Sequence, residues 1–257
     1  MIYIAFLIFT FLILLFAFYQ WQYFMIFRPT YIKERTLCQD CSILTVKTDD
    51  GVELEGAVYE PKNSKSTLLV FVGRSHDAVA LMSKLAQLYS QSRIIAFNYR
   101  GYGKSSGIAN EKNILQDALY IATLVQKNYG DFYLLGYSLG SSVSAFVASK
   151  HKVSALFLIG AFDSIAQLLR RKYAKISYMA KLLRYKFKTM QYIQHVTADT
   201  YLFVSRDDEL IPLQNARNLK KHIKNLVYYE EFDGLSHSEL FWEPRVIDKI
   251  NEVIGCS

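Results

Sequence analysis

The sequence predicts an α/β fold with a mainly parallel sheet covered by helices on both faces, preceded by one N-terminal transmembrane helix. Three observations favour this architecture: an apolar start, a hairpin-like alternation after it, and then short apolar runs that alternate with helix-length amphipathic segments. Apolar strands that alternate with helices pack as a parallel sheet buried on both sides. We expect residues 1–27 to be a membrane anchor, 28–42 a juxtamembrane segment and 43–257 one domain.

The first predicted element is a membrane-spanning helix over Ile2 to Phe27. Its polar interruptions are one threonine and two glutamines, and it carries no charged side chain. At ~1.5 Å per residue this stretch is ~39 Å long, which is enough to cross a bilayer with some tilt. A cleaved signal peptide would have a basic start and small residues at a cleavage site, and this stretch has neither. We therefore expect an uncleaved single-pass anchor.

The charges that flank this helix predict its orientation. Arg28, Lys33 and Arg35 follow the apolar stretch, and only the α-amine precedes it. Basic residues are retained on the cytoplasmic side of a membrane. We therefore expect the domain to face the cytoplasm, with the lipid bilayer as a partner.

The pattern after the juxtamembrane segment predicts a β-hairpin and then alternating strands and helices. Ile43 to Lys47 and Val52 to Tyr59 flank the turn signal Asp49-Asp50-Gly51. The further predicted strands are Thr67 to Val72, Ile94 to Tyr99, Phe132 to Leu135, Ala155 to Ile159, Thr200 to Val204 and Leu226 to Phe232. The predicted helices are Ala78 to Tyr89, Glu111 to Asn128, Ser141 to Ser149, Pro212 to Lys224 and Pro244 to Val253.

The strongest functional signal is Gly136-Tyr137-Ser138-Leu139-Gly140, which stands between a predicted strand and a helix rich in small residues. Glycines two positions before and two positions after a serine permit a sharp turn from strand to helix, and that turn exposes the serine side chain. Outside this context the pattern indicates only an ordinary tight turn. Within it, we interpret Ser138 as a catalytic nucleophile.

A serine hydroxyl needs a histidine base and an acid that orients the base. Of the five histidines, only His237 lies in a loop beyond the carboxyl end of the last predicted strand. That edge of a parallel sheet is where active sites form. Asp207 and Asp208 both follow the strand Thr200 to Val204, so either carboxylate is a candidate for the acid. The order serine, aspartate, histidine is the one expected for this architecture.

These motifs resemble those of α/β-hydrolase-fold serine hydrolases, and specifically of the membrane-anchored BEM46/ABHD13-like branch. The resemblance covers roughly Ile43 to the C-terminus. Its most specific parts are Phe97 to Gly107, Gly136 to Gly140, Asp208 with Pro212 four residues on, and His237. In that family the acid falls three residues after the small residue that closes the strand. Ser205 matches this small residue, so the resemblance selects Asp208 over Asp207.

The resemblance also implies an oxyanion hole formed by the backbone N–H groups of Arg74 and Leu139. It further implies a small helical cap between the sixth and seventh strands, which corresponds here to residues 163–197. The family usually has His-Gly after the first parallel strand, where this chain has Val72-Gly73. Main-chain donors survive side-chain replacement. We therefore expect the missing histidine to affect the support of this loop more than the chemistry.

The predicted cap is strongly basic. Apolar residues recur in it at near-helical spacing, and no acidic residue occurs from position 164 to 196. Such a helix lies on anionic membranes or covers an apolar pocket, so it would admit an acyl chain with its cations toward lipid headgroups. A lid with a solvated basic face is the other interpretation. The cations are Arg170, Arg171, Lys172, Lys175, Lys181, Arg184, Lys186 and Lys188.

Several other site classes are not indicated. Cys38 and Cys41 form a C-x-x-C without the setting of a redox site or the further ligands of a zinc site. We favour incidental thiols there, with a local disulfide or a lipidated cysteine as alternatives. The glycine-rich loop from Gly101 to Gly107 lacks the spacing of a nucleotide-binding loop. No metal, no organic cofactor and no nucleic-acid partner is implied.

The combined prediction is a membrane-anchored serine hydrolase that cleaves carboxylic ester or thioester bonds of acyl substrates. Ser138 would attack the carbonyl, His237 would transfer the proton and Asp208 would orient the imidazole. The alternative is a non-catalytic, membrane-tethered binding or scaffold protein with the same fold, because a fold alone does not fix a function. The acyl length and the oligomeric state are left open.

Overall fold

An eight-stranded sheet organises the chain, whose computed structural model describes residues 2–172, 180 and 182–255. The spatial order of the strands is β1-β2-β4-β3-β5-β6-β7-β8. The first hairpin and its contact with β4 are antiparallel, and the remaining neighbours are parallel. The strands are β1 Cys41–Lys47, β2 Glu53–Tyr59, β3 Thr67–Phe71, β4 Arg93–Phe97, β5 Tyr133–Tyr137, β6 Ala155–Ile159, β7 Asp199–Ser205 and β8 Leu226–Phe232. The predicted mainly parallel sheet with a hairpin at one edge is confirmed.

Helices cover both faces of this sheet, as predicted. The structure has α1 Ile2–Ile26, α2 Ala78–Leu88, α3 Glu111–Tyr129, α4 Leu139–Ala148, α5 Ile165–Lys172, α6 Thr189–Ile193, α7 Leu213–Lys220, α8 His237–Leu240 and α9 Pro244–Val253. One hydrophobic cluster joins α3, α4 and α7 to the sheet, and a second joins α2 and α9 to its other face. Every residue of β3 and β6 is buried, which explains why those strands are continuous apolar runs.

Two local features differ from the predicted pattern. The helix expected to reach Lys224 ends at Lys220, and a short helix, α8, begins at His237 where a loop was expected. Ser236 starts α8 with a capping box: its hydroxyl accepts from the Glu239 amide, and the Glu239 carboxylate accepts from the Ser236 amide. His237 is therefore held at the start of a capped helix.

The N-terminal helix α1 is long and apolar enough to cross a membrane. Most of this helix is not buried against the domain, but Gln22 and Ile26 near its end are. Gln22 is fully buried there, and its side-chain oxygen accepts from the Arg184 amide at 2.8 Å. Phe27 follows with its ring centroid 5.0 Å from that of Tyr185. The end of α1 is therefore packed into the fold.

The segment after α1 is attached to the domain by ion pairs. Arg35 donates to Glu55 and to Asp77, each at 2.6 Å, and the Ile32 amide also donates to Asp77. Cys38 and Cys41 form a disulfide, so the interpretation as incidental thiols is wrong and the alternative of a local disulfide holds. Their spacing of three residues allowed this pairing but did not distinguish it from free thiols.

The insertion between β6 and β7 contains α5 and α6, where the cap was expected. Arg171 pairs with the fully buried carboxylate of Asp163 at 2.7 Å, and Lys172 donates to the Glu209 carbonyl at 3.0 Å. These two cations bind the domain, Arg171 at a partly buried position and Lys172 at an exposed one, and the expected contact of the cap cations with lipid headgroups stays a prediction. The predicted cap cations Lys175 and Lys181 lie outside the described residues.

Candidate active site

The turn from β5 to α4 places Ser138 in a strained backbone conformation. Its φ is 54° and its ψ is −118°, a region that side-chain-bearing residues rarely adopt. Gly136 and Gly140 make the turn possible, because each lies too close to neighbouring backbone for a side chain. A methyl group on Gly136 would lie 2.5 Å from the Gly140 oxygen, and one on Gly140 would lie 1.9 Å from the Phe71 oxygen. This is the strand-turn-helix geometry that exposes a nucleophile.

We expect Gly140→Ala to destabilise the protein by about 3 kcal/mol or more, because the added methyl overlaps the rigid end of β3. The measurement is the thermal unfolding midpoint of the detergent-solubilised full-length protein. Ser142→Ala is the matched control in the same helix. Its hydroxyl is buried and has no hydrogen-bond partner among the described residues, so its removal should cost little. An unchanged midpoint for Gly140→Ala would show that the turn tolerates a side chain.

Asp208 holds the imidazole of His237. The Asp208 Oδ2 atom lies 2.6 Å from His237 Nδ1, and both side chains are buried. Its other oxygen accepts from the amides of Leu210 and Ile211 at 2.9 and 2.7 Å, which fixes the carboxylate. Asp207 faces elsewhere and accepts from the Gly234 amide at 2.7 Å. The geometry thus places Asp208, of the two candidates, beside the histidine.

His237 is positioned further by residues that the sequence pattern did not single out. Its amide donates to the Glu209 side chain at 2.9 Å, and its carbonyl accepts from the Tyr137 hydroxyl at 3.0 Å. The Tyr137 ring stacks on His237 at 5.1 Å and on Phe241 at 4.3 Å between centroids. Burial raises the pKa of Tyr137, so the phenol stays protonated and donates. In the sequence, the only indication of this role for Tyr137 was its position next to Ser138.

The end of β6 lies close to both residues: Ile159 contacts Ser138, and the next residue, Gly160, lies beside His237. The Ser138 amide donates to the Ile159 carbonyl at 2.9 Å. A methyl group built on Gly160 would lie 3.0 Å from the Cε1 atom of the His237 ring. Ser138 and His237 therefore lie beside adjacent residues of the chain at the end of β6. Because Nδ1 binds Asp208, Nε2 is the ring nitrogen left to act as a base.

The loop after β3 carries Arg74, and three contacts support it. The Tyr99 hydroxyl donates to the Val72 carbonyl, and the Tyr102 hydroxyl donates to the Arg74 carbonyl, each at 2.8 Å. The Arg74 guanidinium in turn donates to the carbonyl of Met25 at the end of α1. Leu139 is the first residue of α4, where backbone N–H groups lack intrahelical partners.

His76 lies beside Tyr137 at the edge of the candidate site. Its ring lies 5.6 Å from that of Tyr137 in an edge-on arrangement. Burial lowers the pKa of His76, with a further contribution from nearby His237, so the neutral form is favoured. His76 therefore packs beside the site as a neutral ring.

An apolar pocket of about 130 Å³ opens beside Ser138. Its walls come from the end of α1, from α5 and from the loop after β7, and Arg74 and Lys172 are its charged residues. In the described ranges, no group of three or more His, Cys, Asp and Glu side chains is placed to hold a metal ion. The arrangement can bind an apolar chain beside the half-buried Ser138, at the same edge of the sheet as the buried histidine–carboxylate pair.

The lining residues are Met25, Ile26, Arg74, Ser138, Leu139, Phe162, Ile165, Leu168, Leu169, Lys172, Leu210 and Ile211.

Comparisons with known proteins agree with this architecture, and the chain has the α/β-hydrolase fold. A family profile described as alpha/beta hydrolase fold matches residues 71–189. An esterase of Pyrococcus furiosus superposes with a TM-score of 0.69 and 16% identity, and the match covers 90% of this chain and 97% of the esterase. At that identity the likeness concerns the fold alone.

Three curated relatives are similar to this chain in sequence. An uncharacterized protein of Acanthamoeba polyphaga mimivirus is 26% identical, over 71% of this chain and 69% of the relative. An uncharacterized membrane protein of Saccharomyces cerevisiae is 25% identical, over 68% and 66%. Lysophosphatidylserine lipase ABHD12 of Macaca fascicularis is 23% identical over 64% of this chain and 48% of the lipase, so this chain spans about half the length of that lipase.

Proposed function

We propose that this chain is a serine hydrolase of the α/β-hydrolase family, in its membrane-anchored BEM46/ABHD13-like branch, and that it cleaves ester or thioester bonds of acyl substrates. The observation that carries this proposal is the 2.6 Å contact between Asp208 and His237, at the sheet edge where Ser138 stands in its strained turn. An imidazole that a carboxylate orients, at the same sheet edge as a serine, is the arrangement that activates a hydroxyl nucleophile.

The chemistry follows from the positions of these groups. Ser138 attacks the substrate carbonyl while His237 Nε2 takes its proton, and Asp208 holds the tautomer that makes this possible. The negative charge on the carbonyl oxygen is stabilised by the backbone N–H groups of Leu139 and Arg74. His237 then gives the proton to the departing alcohol or thiol. Water attacks the acyl-enzyme by the same route, which releases the carboxylic acid and regenerates Ser138.

The apolar pocket and the N-terminal helix support an acyl lipid as the substrate class. The pocket offers aliphatic side chains from several elements to an acyl chain, and α1 has the length and hydropathy of a single-pass anchor. The lipase among the relatives, which by its name acts on a lysophospholipid, is consistent with this class.

The direct test is turnover of simple esters and thioesters by the full-length protein in detergent. We expect hydrolysis of both, with a burst of the first product where the acyl-enzyme accumulates. A well-folded protein that binds acyl compounds but turns none over would favour the alternative, a membrane-tethered binding protein. The feature that favours that alternative is Val72, where the family usually has histidine.

The side of the membrane on which the domain lies can be tested with one substitution. The flanking cations predict a cytoplasmic domain, whereas the Cys38–Cys41 disulfide is typical of an oxidising compartment. Lys65→Thr creates a glycosylation sequon at the exposed Asn63, and the sequence has no other sequon. From the charges we expect no glycan on this variant in a eukaryotic host. A mass increase removed by a glycosidase would place the domain on the luminal or extracellular side.

A further inference from the structure

The end of the N-terminal helix forms part of the wall of the pocket at Ser138. Met25 and Ile26 are the last two residues of α1, and both line the pocket. Ile26 is buried in the same hydrophobic cluster as the core of the domain. A membrane anchor that served only as a tether would have no reason to contribute side chains to this pocket.

The opposite wall of the pocket comes from the cap helix α5. Ile165, Leu168 and Leu169 lie at positions i, i+3 and i+4, so they share one face of the helix, and all three line the pocket. The other side of α5 is fixed to the domain by the pair between Arg171 and the buried Asp163. This places a narrow apolar space between α1 and α5.

Exposed aromatic residues of α1 relate this space to the boundary of the bilayer that the proposed anchor would cross. Trp21 and Phe24 are exposed on α1, and aromatic side chains of this kind favour the boundary between lipid and water. Met25 directly follows Phe24. It lies four residues beyond Trp21, which is ~6 Å along the helix axis at ~1.5 Å per residue. The pocket entrance is therefore close to the headgroup layer of the membrane that α1 would cross.

The end of α1 also contacts the loop proposed to bind the oxyanion. The Arg74 guanidinium donates to the Met25 carbonyl, and the Arg28 amide donates to the Arg74 carbonyl at 3.2 Å. The position of α1 is thus tied to the backbone that faces the reacting carbonyl. A chain that packed against Met25 would have its carbonyl end directed toward Ser138.

We propose that the last turn of α1 determines acyl-chain specificity, and that the substrates are bilayer-resident acyl lipids whose chain enters between α1 and α5. This inference rests on the proposed hydrolase function. Met25 and Ile26 contact the chain on one side, and Leu168 and Leu169 contact it on the other. The scissile carbonyl reaches Ser138 while the headgroup remains at the membrane surface.

The test compares a palmitoyl and a butyryl ester of the same chromogenic alcohol, with the full-length protein in detergent micelles. Met25→Trp fills the pocket from α1. It should lower the ratio of the kcat/KM for the palmitoyl ester to that for the butyryl ester by at least about tenfold. This is within the range by which an apolar pocket discriminates between substrates that differ in apolar groups. Leu168→Trp fills it from the other wall and should change the ratio in the same direction. Phe24→Trp is the matched control, because Phe24 is 65% exposed next to Met25, and it should leave the ratio unchanged.

The outcomes separate this inference from the proposed function. If the wild type cleaves both esters and neither pocket variant changes the ratio more than Phe24→Trp does, the inference is wrong and the hydrolase proposal stands. If the wild type cleaves neither ester, both are wrong. If Met25→Trp fails to fold, judged by its unfolding midpoint, Met25→Phe decides, since it fills the same space from α1 with a smaller side chain.

Discussion

Replacement of Ser138 by alanine is expected to lower kcat for ester hydrolysis by roughly 10⁴- to 10⁶-fold while the protein stays folded. The hydroxyl is the atom that forms the bond to the substrate, so no neighbouring group replaces it. The backbone contacts of the turn are made by the amide and carbonyl of Ser138 and do not involve the hydroxyl. Alanine at this position therefore removes the chemistry and keeps the turn.

The controls for this prediction are a second serine and a second member of the site. Ser142→Ala removes a hydroxyl from the same helix and should leave kcat unchanged. His237→Ala should cost about as much as Ser138→Ala, and the double variant should lose little more, because the groups act as one unit. Measurable turnover that survives in Ser138→Ala, at a rate near that of the wild type, would exclude Ser138 as the nucleophile.

Asp208→Asn should lower kcat by roughly 10⁴-fold, the size of effect expected when an amide replaces the carboxylate that orients a catalytic histidine. The wild-type carboxylate accepts from His237 Nδ1 and from two backbone amides. An asparagine can keep the backbone contacts, but its amide nitrogen would face Nδ1 as a donor and select the wrong tautomer. The substitution is nearly isosteric, so we expect the fold to persist.

Asp207→Asn is the matched control, one residue away on the same loop. Asp207 accepts from the Gly234 amide and makes no contact with the imidazole, so its loss should change kcat little. Steady-state kinetics of both variants with one ester, together with their unfolding midpoints, make the comparison. Equal losses in the two variants would show that the effect comes from the loop and not from the orientation of His237.

The fold was largely predictable because its strands are buried on both faces. A strand such as β6 appears in the sequence as an unbroken apolar run, and α2 and α3 follow as amphipathic segments. The spatial order was not predictable from the pattern alone, because β4 lies between β2 and β3 although it follows β3 in the chain. The place of β4 in the sheet depends on how the connections between the strands pack in three dimensions.

The candidate site was predictable where a residue type and its place in the chain coincided. Ser138 and His237 each stand beyond the carboxyl end of a strand, and both could be named from the sequence. The choice between Asp207 and Asp208 needed either the family resemblance or the structure, since adjacent residues differ only in the direction of their side chains. The sequence did not single out Glu209. Its side chain accepts a hydrogen bond from the backbone amide of His237, and a contact of this kind leaves no sequence motif.

The contribution of α1 to the site was the least predictable feature. Met25 and Ile26 belong to a stretch whose composition indicates only membrane insertion, and they lie more than a hundred residues from Ser138. Gln22 gave a weak signal as a polar residue near the end of the apolar stretch, and it is buried against the cap. The basic pattern of the cap suggested headgroup contacts, whereas Arg171 pairs with a carboxylate that only the folded structure brings near.

Labelling with a fluorophosphonate probe tests most directly whether Ser138 is an activated nucleophile. The probe forms a covalent bond with a serine whose proton is removed by a neighbouring base, so it requires no knowledge of the natural substrate. We predict labelling of the detergent-solubilised wild type, with loss of the label in both Ser138→Ala and His237→Ala. Absence of labelling in the well-folded wild type, or labelling that persists in Ser138→Ala, would contradict the proposed mechanism.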